Sequence, residues 1–167
     1  MIAVSIASKA DVDDIVGLFY RIDLHYFPGD APSKTNISAY VRWNLFQAHC
    51  GVQVALAREG AQPLGLATFS ILYPAPRMTG QLFMKDLFTI EEARGKGVGR
   101  ALMVFLANHA LEKGCSRFDW TAETTNPKAL EFYDRLGVPR VDEKVYYRLA
   151  GEKLKSFADS RRPRQKS

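Results

Sequence analysis

Arg94-Gly95-Lys96-Gly97-Val98-Gly99-Arg100 lies between an apolar run, Leu82-Phe83-Met84-Lys85-Asp86-Leu87-Phe88-Thr89, and a helical pattern that opens with Ala101-Leu102 and continues with Phe105-Leu106. Strand, glycine loop and helix in that order put free backbone N–H groups at a helix N-terminus. Such a terminus carries partial positive charge and unpaired donors, so it attracts phosphate. Gly97 and Gly99 lack a Cβ and let the loop come close to a ligand. Arg94, Lys96 and Arg100 add positive charge at the same spot.

Spacing narrows the phosphate ligand. A mononucleotide P-loop requires Gly-Lys followed by Ser or Thr, and here Gly97 follows Lys96. The dinucleotide fingerprint requires G-x-G-x-x-G, and here the glycines run G-x-G-x-G. A plain glycine-rich turn that starts a helix stays open on this stretch alone. Arg94-x-x-Gly97-x-Gly99 after an apolar strand resembles the pyrophosphate-binding loop of the GNAT acetyltransferase superfamily. Further on, Asn126-Pro127-Lys128-Ala129-Leu130-Glu131-Phe132-Tyr133-Asp134-Arg135-Leu136-Gly137 resembles that family's second motif, an Asn before a helix ending Phe-Tyr-x-x-Leu-Gly. Two motifs in the right order are far more specific than one. The resemblance covers roughly residues 2 to 150. The following Val145-Tyr146-Tyr147-Arg148-Leu149 looks most like the small-molecule diamine and polyamine branch, which includes spermidine/spermine and thialysine acetyltransferases.

Composition sets bounds. A chain of 167 residues, 47% hydrophobic, suits one domain with a real core. No apolar run is long enough to span a bilayer, and the N-terminal residues show no basic patch followed by a secretory apolar core. Cys50 and Cys115 have no metal spacing and make no disulfide framework, so they read as buried or half-buried thiols in a reducing, cytoplasmic setting. No metal ligand set is expected. Of the net charge of +5, four charges come from Arg161, Arg162, Arg164 and Lys166. The basic character therefore belongs to a tail, residues 160–167, beyond a domain of residues 1–159. No basic stripe with interleaved aromatics accompanies it, so neither a nucleic acid nor a membrane is expected as partner.

Periodicity gives the remaining elements. Ile2, Val4 and Ile6 alternate as a strand. A helix starts at Ser8, with Asp11, Asp13 and Asp14 suiting its positive end, and Val12, Ile15, Val16, Phe19 and Ile22 forming its apolar face. It fades before Pro28-Gly29-Asp30-Ala31-Pro32. Further helices are predicted over 36–48, from the glycine loop to 113, over 127–136 and over 151–158. Strands are predicted over 53–58, 64–73, 81–89, 117–121 and 145–149. The expected fold is α/β: one mixed, mostly antiparallel sheet, with a parallel βαβ unit at the glycine loop. In the family it resembles, those two parallel strands splay apart and the pantetheine arm inserts between them.

The resemblance implies acetyl-CoA as cosubstrate and acetyl transfer to an amine, with residue roles as follows. Arg94 to Arg100 would hold the diphosphate. Leu87, Phe88 and Thr89 would offer backbone groups to the pantetheine amides, and Asn126 would cap its helix and contact the same arm. Tyr133 would protonate the leaving thiolate, although a tyrosine packing at a helix end is the plainer alternative. Asp86 is an acid inside an apolar strand, so it must face a polar pocket or pair with a base. It matches the second acid of a Glu-Asp pair that lies by the amine in the polyamine branch, and Lys85 stands in place of the first. Asp86 would bind or deprotonate the substrate ammonium. His25 and Tyr26, at the end of the first helix, would help shape the acceptor pocket. His49 and His109 read as structural. The leading expectation is an N-acetyltransferase acting on a small primary amine, which a closed, acid-lined pocket would suit, whereas a peptide acceptor would want an open groove. A protein amine acceptor and a non-catalytic acyl-CoA sensor are the alternatives. Many relatives are homodimers, so a dimer is expected on resemblance.

Overall fold

The computed structural model describes residues 1–160. The basic stretch 161–167 lies outside the described residues. Contacts divide the chain into two compact units after Pro127. The first contains β1 (Ile2–Ile6), α1 (Val12–Tyr26), α2 (Lys34–Asn44), β2 (Val52–Glu59), β3 (Gln62–Ala75), β4 (Thr79–Thr89), α3 (Val98–Glu112) and β5 (Cys115–Trp120). The second carries α4 (Pro127–Arg135), which starts at the boundary, and α5 (Gly151–Asp159).

The five strands form one sheet in sequence order. β1 to β4 pair antiparallel, β1 reaching β2 across α1 and α2 and β2 to β4 through short connections, and β4 and β5 pair parallel across α3. This is the mixed, mostly antiparallel α/β sheet that the pattern predicts. α3 contacts all five strands. Val98, Leu102 and Leu106, one helical turn apart, are buried on it. His109, farther along the same helix, is buried with its ring edge-on to Phe69 of β3 at 5.4 Å and its Nε2 3.3 Å from Gln53 Oε1. Burial pushes its pKa below the ordinary value, and the nearby Lys113 charge acts in the same direction. Cys115 is a buried free thiol whose pKa burial raises, and Cys50 is half-buried and free.

Ser8 caps the first helical turn as expected, but that turn is a short 3₁₀ segment, Lys9–Asp11, ahead of α1. Ser8 N–H and Oγ donate to Asp11 Oδ2 at 2.7 and 2.9 Å. These bonds lower the Asp11 pKa, and Arg58 of β2 reinforces the effect by bridging Asp11 and Asp14 at 2.7 Å each. The three first-turn acids therefore do more than suit a helix dipole, because two of them fasten α1 to the sheet. α2 begins two residues earlier than predicted because Ser33 Oγ accepts from Asn36 N–H at 3.2 Å and sets the start.

One predicted element does not form. Residues 144–150 have no regular structure, and Val145, Tyr146, Tyr147 and Leu149 are exposed. Alternating apolar residues give a segment strand propensity, but a strand exists only through a ladder with a neighbour. Among the described residues the ladders join only β1 to β5. The short helix over 151–158 does form, as α5.

Candidate active site

β4 ends at Thr89, and a 3₁₀ turn, Glu91–Ala93, leads into the glycine loop. Gly95 has φ +76° and Gly97 has φ +85°, a region that L side chains rarely adopt. The conformational demand thus falls on these two, while Gly99 is a residue of α3. Gly97 is the N-cap of α3 and has no side chain with which to cap it. Elsewhere Ser8 and Ser33 cap their helices with hydroxyls. Ala101 N–H donates to Gly97 C=O at 2.9 Å as the first bond of the helix. The amides of Val98, Gly99 and Arg100 precede it and have no intrahelical carbonyl to meet. Arg94 and Lys96 lie on the loop and Arg100 in the first turn of α3, Arg94 being 3.9 Å from Glu91. Uncapped amides with cations beside them are a donor set that fits a diphosphate.

Gly65 of β3 makes this arrangement possible, and sequence reasoning missed it. A Cβ there would collide with the Phe88 carbonyl oxygen and come within 3.2 Å of Val98 Cγ1. Its absence lets β3, the end of β4 and the start of α3 pack together. The readable signal was a lone glycine inside an apolar strand, which often marks close backbone approach.

The β4–β5 ladder ends at Met84 opposite Trp120. β4 continues to Thr89, and Leu87, Phe88 and Thr89 remain paired to β3 on one side only. Their other backbone edge is thus unclaimed by a strand among the described residues. Asn126 directly precedes α4, and its N–H donates to Glu123 C=O at 2.9 Å.

A register slip sets the direction of Asp86. Thr68 faces Asp86 across the β3–β4 ladder, yet the next β3 residue, Phe69, faces Met84. Lys85 is the extra residue of a β-bulge. Phe69 and Met84 lie on the α3 face. The bulge turns Asp86 onto the opposite face, beside Thr68, Ser70 and Phe83. Thr68, only 4% exposed, donates its hydroxyl to Asp86 Oδ2 at 2.5 Å. Lys85 Nζ lies 3.7 Å from Asp86 Oδ1. Asp86 therefore has both a polar partner and a base, satisfying the expectation for an acid in an apolar strand.

On this face a cavity of about 310 Å³ opens between the sheet and the two N-terminal helices. Phe19 of α1, Tyr40 of α2, Leu45 just beyond α2, Leu72 of β3 and Phe83 of β4 wall it, and Asp86 and Lys85 reach it from the bulge. The cavity is largely apolar with one carboxylate. His25 and Tyr26 are not among its walls. They close α1, with rings edge-on at 5.0 Å.

In the second unit, Tyr133 is half-buried on α4, its ring 5.1 Å from that of Phe132. Glu131 pairs with Arg135 at 2.7 Å and Asp134 with Arg140 at 2.8 Å, and these ion pairs brace the helix end. Among the described residues no helix is long and apolar enough to cross a membrane.

Comparison with known proteins follows the same lines. The model of the acetyltransferase (GNAT) family matches residues 17–138. Thialysine N-epsilon-acetyltransferase of Mus musculus is 28% identical over 104 residues, 60% of this chain and 60% of that protein. The match thus spans about three fifths of the length of this curated relative. An integron cassette protein from the mobile metagenome of V. cholerae is 42% identical, with a TM-score of 0.90 over 95% of this chain and 98% of that one. An aminoglycoside N-acetyltransferase solved in complex with CoA shares the fold at a TM-score of 0.70 and 18% identity, over 89% of this chain and 95% of its own.

Proposed function

Because the chain belongs to the GNAT acetyltransferase family, we propose that residues 1–159 form an N-acetyltransferase that moves an acetyl group from acetyl-CoA to a primary amine of a small molecule. One observation carries the reading. Asp86, held by Thr68 and facing a cavity, sits on the same strand whose free edge runs into the uncapped start of α3. In this reading one stretch of backbone joins the amine site to the phosphate site.

When bound, acetyl-CoA supplies a thioester carbonyl activated toward amines. The amides of Val98, Gly99 and Arg100, with Arg94, Lys96 and Arg100, hold its diphosphate in this reading. Gly95 and Gly97 give the loop the turn that presents those amides. The backbone edge of Leu87, Phe88 and Thr89 receives the pantetheine arm, with Asn126 contributing to it. Asp86 pairs with the substrate ammonium, which is mostly protonated at neutral pH. It then takes the proton at Oδ1 or Oδ2, directly or through water, so that a neutral amine can attack. Tyr133 delivers a proton from its hydroxyl to the departing thiolate. The thialysine acetyltransferase named above supports the transfer chemistry, since its name specifies an amine acceptor.

The test is amine-dependent thiol release from acetyl-CoA, with the acetylated amine identified by mass. Release matched one-to-one by product supports the reading. Acetyl-CoA binding without release across a broad amine panel would instead leave a non-catalytic acyl-CoA sensor.

A further inference from the structure

We infer that the cavity beside Asp86 takes a primary amine carried on an apolar, otherwise uncharged body, and disfavours diamines and polyamines. This rests on the amine-acetyltransferase reading above. The argument comes from what a second cation would meet. Asp86 is the one carboxylate among the described residues that line the cavity, and the reacting ammonium claims it. Its Oδ2 already accepts from Thr68, and its Oδ1 already lies 3.7 Å from the Lys85 ammonium. A second substrate ammonium would therefore find no counter-charge and a like charge close by, and like charges at short range repel.

The remaining walls make this worse for a cation and better for an apolar group. Phe19, Leu45, Val52, Leu72 and Phe83 line the space. An ammonium placed among them loses its water without a partner, which is costly. An alkyl or aryl body gains from leaving water on the same surface. The volume of about 310 Å³ is at the small end of sites for organic ligands, which begin at roughly 300 Å³. Lys85 owes its place to the bulge, which brings two consecutive side chains of β4 to one cavity. Its charge therefore acts as a selectivity element, repelling second cations while its own side chain stays 77% exposed.

The experiment compares hexylamine and 2-phenylethylamine with 1,6-diaminohexane and spermidine at saturating acetyl-CoA, by thiol release and product mass. Hexylamine and 1,6-diaminohexane differ by one terminal ammonium, so their ratio isolates the second charge. The expected kcat/KM for the monoamines exceeds that for the diamine by about tenfold or more. Lys85→Glu reverses the charge at an exposed position and is expected to move that ratio toward the diamine by about tenfold. Diamine or spermidine turnover equal to or faster than that of hexylamine would overturn the inference while leaving the acetyltransferase reading intact. A ratio unmoved by Lys85→Glu would overturn the role given to Lys85. No turnover of any amine with acetyl-CoA bound would overturn the parent reading and this inference together.

Discussion

Thr68 on β3 donates its hydroxyl to the Asp86 carboxylate on β4 at 2.5 Å, across a ladder that slips by one residue at that point. The hydroxyl is buried, and the carboxylate is half-exposed toward the cavity. The bond fixes the direction of the charge that an amine would meet. Thr68→Val keeps the shape of the side chain and deletes the donor. A charge-assisted bond of this kind is worth about 1.5–3 kcal/mol. The expected result is a KM for the amine raised about tenfold, with acetyl-CoA affinity unchanged. Steady-state kinetics with calorimetry on CoA would check it, and an unchanged amine KM would remove Thr68 from the site.

Two glycines make opposite demands. Gly97 needs its positive φ but has open space where a Cβ would stand, so Gly97→Ala costs about 1–2 kcal/mol by conformation alone and weakens CoA binding. Gly65→Ala drives a Cβ into the Phe88 carbonyl and against Val98, so it costs more and disturbs the end of β4. Thermal unfolding of both variants measures the order. A Gly65→Ala protein as stable as wild type would contradict the close packing described here.

Tyr133→Phe removes one hydroxyl from α4. If that hydroxyl protonates the leaving thiolate, kcat falls about 10²-fold or more while CoA affinity holds. Single-turnover kinetics would separate chemistry from binding. Wild-type kcat in the variant would assign Tyr133 to packing alone.

His109 gives the fold a pH dependence of known sign. Its folded pKa lies below the ordinary value of 6.5, so between the two the unfolded chain binds more protons. Its contribution to stability is full above about pH 6.5 and is lost as the pH falls toward the depressed folded value. His109→Gln keeps a polar group near Gln53 and removes the titration. Urea unfolding at pH 7.5 and 5.5, values on either side of about 6.5, should show a larger loss for wild type than for the variant. Equal losses would mean that His109 does not carry this dependence.

The glycine loop was legible because its spacing encodes backbone conformation directly, and two of its glycines do hold positive φ. The antiparallel pairing of β2 to β4 followed from short connections, and the parallel β4–β5 pair from one crossover, whereas β1 joins β2 across two helices. The Lys85 bulge was not legible, because a register slip is decided by two strands together and leaves no mark in either alone. Nor was the cavity, which gathers Phe19, Leu45, Leu72 and Phe83 from separate stretches of sequence. His25 and Tyr26 were placed by resemblance at the end of α1, and the wall of this cavity takes Phe19 from the middle of that helix. Val145 to Leu149 carried the alternation of a strand, but pairing, not pattern, makes one.

A crystal structure of the protein with CoA tests the central claim most directly. The account predicts the diphosphate on the amides of Val98, Gly99 and Arg100, and the pantetheine arm along the free edge of Leu87 to Thr89, its sulfur toward the Asp86 end. CoA bound away from the α3 N-terminus, or lying on another edge of the sheet, would contradict it.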